Sequence, residues 1–180
     1  MVFSYYNRLT RAKQRIYRKS DEVSSILLTS ASSFYPLVGV LVGALKSEDR
    51  LRTEKICQEL VSAITASLKV PALRVEVLAA RPSRSWGELH GLYTPARGHR
   101  VARITVWMRT AQRRQVVAFR SFLRTLLHEV CHHLDYEFLR LGESFHTEGF
   151  YKRESSLFHQ MVANQQGDLI PGTGRLPGRR

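Results

Sequence analysis

The sequence predicts an α+β fold, and three observations carry that expectation. Ahead of Pro71, apolar residues recur four apart at Ile56, Leu60, Ile64 and Leu68, which is helical spacing. Between Leu73 and Met108 the pattern changes to short alternating or β-branched runs, punctuated by proline and glycine, as strands are. After Arg113-Arg114 a wide apolar stripe at helical spacing returns. Helix, then strands, then helices is a segregated order, which builds α+β layers and not an alternating parallel sheet.

Residues 1–19 carry Arg8, Arg11, Lys13, Arg15, Arg18 and Lys19 and no acid, with Tyr5, Tyr6, Leu9, Ile16 and Tyr17 interleaved. This spacing predicts a basic amphipathic helix, either docked by its aromatic side or free to bind anions. Ser20-Asp21 reads as its stop and a fresh cap. Residues Pro36 to Leu68 read as helical, ended by Pro71. Leu73 to Leu78 is a first strand, Arg81 to Ser85 a loop, and Glu88 to Tyr93 a second strand closed by Thr94-Pro95. Arg97-Gly98-His99-Arg100 is a turn, and Val101 to Met108 a third strand. A long helix is expected from about Val117 to Leu141 and a shorter one from Thr147 to Val162. The resulting division is a basic N-terminal helical extension (1–33), a catalytic domain (34–166) and a disordered basic tail (167–180) rich in Gly, Pro and Arg.

A chain of 180 residues with 43% hydrophobic content can bury one real core. Its formal net charge of +13 favours anionic partners, DNA or another polyanion among them. Cys57 and Cys131 stand alone, outside any C-x-x-C pair, so a disulfide framework or cysteine zinc ribbon is not expected and a reducing, cytoplasmic setting is. The longest apolar run, Phe34 to Leu45, is shorter than the roughly 20 residues a membrane span needs, and no leader pattern is read.

The chemistry is concentrated in His128-Glu129-Val130-Cys131-His132. Two histidines four apart on a helix present both imidazoles on one face, where they can share a zinc ion. Glu129 is turned about 100° away, so its carboxylate reaches a zinc-bound water without occupying a coordination position. Zinc lowers the pKa of that water towards ~7, and the glutamate serves as general base. Phe119, Phe122, Leu123, Leu126, Leu127, Val130 and Leu134 form a wide apolar stripe, so the motif lies mid-helix on a helix packed into a core. A third ligand must come from beyond the helix, because Phe138 stands where H-E-x-x-H-x-x-G-x-x-H would place its third histidine. His146 is the first candidate and Glu154 the second, with Glu148 and His159 also downstream.

His128-Glu129-x-x-His132, a helix exit, and then His146 followed by Phe150 resembles the SprT/Spartan-like zinc metalloproteases over about residues 48–163. The resemblance implies a minimal zincin-like domain, a small sheet packed on the active-site helix, and proteolysis, often of DNA-bound proteins. It implies His146 as third ligand, although Thr147 stands where that family has glycine, and no cysteine-rich ribbon follows.

Around the motif, His133 is expected beside the site or at the surface, and Asp135 could orient an imidazole or be a plain exposed acid. Tyr136, Tyr151 and Arg153 are possible oxyanion donors for which packing roles are the stronger reading. Glu88 to Tyr93 is a candidate edge strand over the metal, with His90 facing the cleft or serving structure. Cys131 reads as a small buried residue. Eight arginines and no acid lie between Arg97 and Arg124, as one anion-binding surface or as separate solvated faces. The expected function is hydrolysis of a protein or peptide substrate with Zn2+. The alternatives are a basic nucleic-acid-binding protein with a structural zinc site, and a metallohydrolase acting on another bond.

Overall fold

The computed structural model describes residues 3–84 and 87–162. The expected tail, 167–180, lies outside the described residues. The basic N-terminal stretch divides at Thr10, whose hydroxyl accepts the Lys13 N–H and caps α1 (Arg11–Glu22) after a short 3-10 turn (Ser4–Arg8). Contrary to expectation, α1 runs through Ser20-Asp21. Asp21 caps a different helix, accepting the Gly149 N–H at 2.8 Å.

The expected helical region 36–68 is two helices, α2 (Tyr35–Lys46) and α3 (Arg50–Ser67). They separate because Glu48 takes a left-handed conformation (φ 56°) and Asp49 then caps α3 through the Arg52 N–H.

The sheet has three strands in the order β1-β5-β4. Here β1 is Arg74–Ala80, β4 is Gly91–Thr94 and β5 is Arg103–Arg109; β5 is parallel to β1 and antiparallel to β4. A two-residue ladder, β2 (Ser83–Arg84) with β3 (Gly87–Glu88), occupies part of the expected 81–85 loop. The second strand is therefore shorter than Glu88 to Tyr93: Glu88 pairs in this ladder, and Leu89-His90 carry the chain across to β4. The third strand starts at Arg103, because Arg97 to Arg100 closes on itself through two backbone hydrogen bonds.

The sheet's two edges differ. Along β1, α3 supplies side chains as a substitute strand: Glu54 accepts the Val77 N–H, Gln58 accepts the Val75 N–H and donates to the Leu73 carbonyl, and Arg50 donates to the Val77 carbonyl. That seals one edge. The other edge, β4, lies against α4 (Phe119–Glu137), the helix that carries the motif. This confirms the edge position expected of the second strand. Helix α4 packs in turn on α5 (Glu148–Val162). Phe122, Leu126, Val130 and Leu134 of α4 meet Ile104, Val106, Phe150 and Phe158 in one core, and each buried large apolar side chain contributes roughly 1.5–3 kcal/mol. Ile26 and Leu28 belong to that same core, so the N-terminal segment is packed into the fold. No helix among the described residues is long and apolar enough to cross a membrane.

Candidate metal centre

Helix α4 ends at Glu137, earlier than the expected Leu141, because the chain reverses over Arg140 (φ 54°), with Leu139 N–H on the Leu134 carbonyl and Leu141 N–H on that of Asp135. The reversal returns residues 142–146 along the open face of α4. Thr147 then caps α5, its Oγ1 accepting the Phe150 N–H at 3.0 Å, which accounts for a threonine at this position.

His146 Nε2 comes to lie 3.0 Å from His128 Nε2 and 3.1 Å from His132 Nε2. The protons of the two α4 histidines are held elsewhere. His128 Nδ1 faces Glu154 Oε2 at 3.1 Å, and an ionised carboxylate can only accept. His132 Nδ1 faces Ser144 Oγ at 2.7 Å, while that hydroxyl gives its own proton to Asp135 at 2.6 Å. Both Nε2 atoms therefore turn lone pairs toward His146, and a single proton on His146 cannot serve both. A cation satisfies all three. Nitrogens bound tetrahedrally to zinc at 2.0–2.1 Å stand about 3.3 Å apart, close to the spacings here. The three ligand atoms lie within 4.8 Å of one another. Burial, then the neighbouring His128 and His146, push the His132 imidazole down to about 3, keeping it neutral, the form a metal ligand requires.

Glu154, the alternative ligand, instead orients His128 and pairs with Arg124 at 3.3 Å. Asp135 orients His132 through Ser144. Phe150 forms the floor, its ring 4.8–5.1 Å from all three imidazoles.

Glu129 is only 6% exposed and lies directly under the edge strand. A Cβ on Gly91 would come within 2.4 Å of its Oε1, so only glycine lets the carboxylate sit there. Burial pushes the Glu129 carboxyl up to about 7, against the opposing pull of His128 and the Tyr93 N–H. The cleft over this group is about 620 Å3 and runs from Glu88 along β4 to Pro95, facing His128, Glu129, His132 and His146.

The N-terminal segment clamps the loop that carries His146. Tyr5 donates to the His146 carbonyl at 2.9 Å, Lys13 pairs with Glu143 at 2.7 Å, and buried Tyr17 packs against Phe145. Arg153, fully buried, donates to the Ser20 and Val23 carbonyls at the end of α1 and to Asp135 at 2.7 Å. That ties α1 through Asp135 and Ser144 to His132, and it removes Arg153 as an oxyanion donor. His133 is buried away from the centre, between the Pro71 carbonyl and the Tyr93 hydroxyl. Tyr136 and His90 line the cleft, Tyr151 stacks on His146, and Cys131 is buried as expected. The basic surface is partly neutralised: Arg103, Arg109 and Arg124 pair with Glu76, Glu48 and Glu154.

Gly91, Ser144 and Tyr5 were absent from the expected site. Gly91 had a signal, since a glycine inside a strand pattern marks a close backbone approach. Ser144 and Tyr5 act through chain reversals that leave no periodic trace. The chain matches no protein-family model, no curated protein and no solved structure.

Proposed function

We propose that this chain is a zinc-dependent peptidase of minimal zincin-like design. The observation that carries the reading is the convergence of His128, His132 and His146 Nε2 beside the shielded Glu129 carboxylate, beneath a sheet edge. Three imidazoles are the donor set found among the described residues, and such a set leaves one position for water or substrate. Zinc held there supplies a Lewis acid that activates water near neutral pH. Glu129 takes the proton of the attacking water and hands it to the leaving amine. Strand β4 aligns the polypeptide as an added strand. Glu154 and Ser144 hold the imidazoles in the ligating tautomer. Both cysteines are free and buried, which suits a reducing, cytoplasmic setting. The formal net charge of +13 suits a polyanionic partner such as DNA.

The test pairs metal with turnover. Purified chain should carry one zinc, cleave an unfolded protein substrate, lose both on chelation and regain both with added zinc. A zinc-loaded chain that cleaves no peptide bond would favour a structural site or a different hydrolase.

A further inference from the structure

Beyond Pro95 the cleft gives way to a second cavity of about 840 Å3, lined by Arg74, Arg97, His99, Arg100 and Arg103. No acidic side chain lines it among the described residues. The arginines come in two register pairs. Arg74 and Arg103 are partners across β1 and β5, and Arg97 and Arg100 are bridged in a tight turn by reciprocal backbone hydrogen bonds. Gly98, at φ +57°, permits that turn. Like charges placed directly opposite one another destabilise a sheet. One carboxylate, Glu76, approaches Arg103 at 3.5 Å from outside the cavity lining, and both groups are half-exposed. The fold thus holds four guanidinium groups around one cavity with little internal counter-charge.

We propose that this cavity is a subsite for acidic side chains of the polypeptide that occupies the metal cleft. The inference rests on the peptidase reading. Its support is continuity: Thr94 ends the edge strand and lines the arginine cavity, and Pro95, next in the chain, lines both that cavity and the metal cleft. Gly91 marks the position of Glu129, and successive strand residues advance about 3.3 Å, so the pocket receives residues about three to five positions from the scissile bond. Arginine forks match carboxylates in two-point contacts. The enzyme therefore prefers substrates with a glutamate- or aspartate-rich flank.

The test uses the full chain carrying Glu129→Gln, loaded with zinc, and a fluorescent peptide with three glutamates at one flank against its glutamine counterpart. The acidic peptide should bind at least about tenfold more tightly, as expected for charge-assisted contacts. Arg97→Glu with Arg100→Glu should bring the ratio of the two affinities to about one. The same charge change at Arg11 and Arg15, exposed on α1, should leave most of the preference. Equal affinities, or a preference that survives at Arg97 and Arg100, would overturn the proposal. So would a single-stranded oligonucleotide that binds more tightly and displaces the peptide, since the cavity would then be a nucleic-acid site. A binding preference without cleavage of either peptide by the zinc-loaded parent would support the acidic subsite and strike the peptidase reading alone.

Discussion

Gly91 makes room for the Glu129 carboxylate and Glu154 fixes the His128 ring, the two groups to which the proposed function gives the chemistry and the metal. Gly91→Ala puts a methyl group where the Glu129 carboxylate lies, 2.4 Å from its Oε1. The carboxylate must move while the three imidazoles need not. The expected outcome is retained zinc affinity with turnover lowered at least about a hundredfold, the scale of a misplaced general base. Glu154→Gln removes the charge that faces His128 Nδ1 and should weaken zinc about 10–100-fold in chelator competition. His146→Ala, which deletes a ligand, should weaken it further. Equal losses for the two variants would make Glu154 a ligand, contrary to its position on the far nitrogen of His128.

At the scale of elements, the site depends on α1 as much as on α4 and α5. The Asp135–Arg153 pair is completely buried and joins the end of α1 to the His132 tautomer. Asp135→Ala leaves the Arg153 guanidinium buried without its counter-charge and should cost about 3–5 kcal/mol in urea unfolding. Zinc affinity should fall with it, because Ser144 loses its acceptor. This linkage was not legible in the sequence. Periodicity marked α4 as a buried helix and its spacing named His128, Glu129 and His132, since both follow from 3.6 residues per turn. The aromatics interleaved in 1–19 offer a docking face, and Tyr17 packs on Phe145 through it; nothing in the pattern marks Ser20, whose hydroxyl accepts from Arg153 of α5. Helix ends were similarly hidden: Glu48 and Arg140 are left-handed without being glycine or asparagine, so neither break carried its usual residue.

For the whole molecule, the proposed zinc site couples metal to fold, because His146 meets His128 and His132 only when α1, the 142–146 reversal and α5 are assembled. Zinc at 100 times its dissociation constant should add about 2.7 kcal/mol to stability. That corresponds to roughly 5–10 °C in melting temperature for a domain of this size, and the shift should shrink in His146→Ala. The α+β order was readable because segregated patterns leave few topologies. The sealing of β1 by Glu54 and Gln58 was not, since their bonds to β1 are long-range and polar. Yet it is this sealing that leaves β4 as the edge beside the histidine cluster, where the proposed substrate strand would add.

If Glu129 moves the proton while the three histidines hold zinc, then zinc content and peptide hydrolysis, measured together, part company in Glu129→Gln. The expected protein carries one zinc per chain, melts like the parent and cleaves at least about a hundredfold more slowly. A fully zinc-loaded Glu129→Gln chain that turns over peptide at the parental rate would contradict the account.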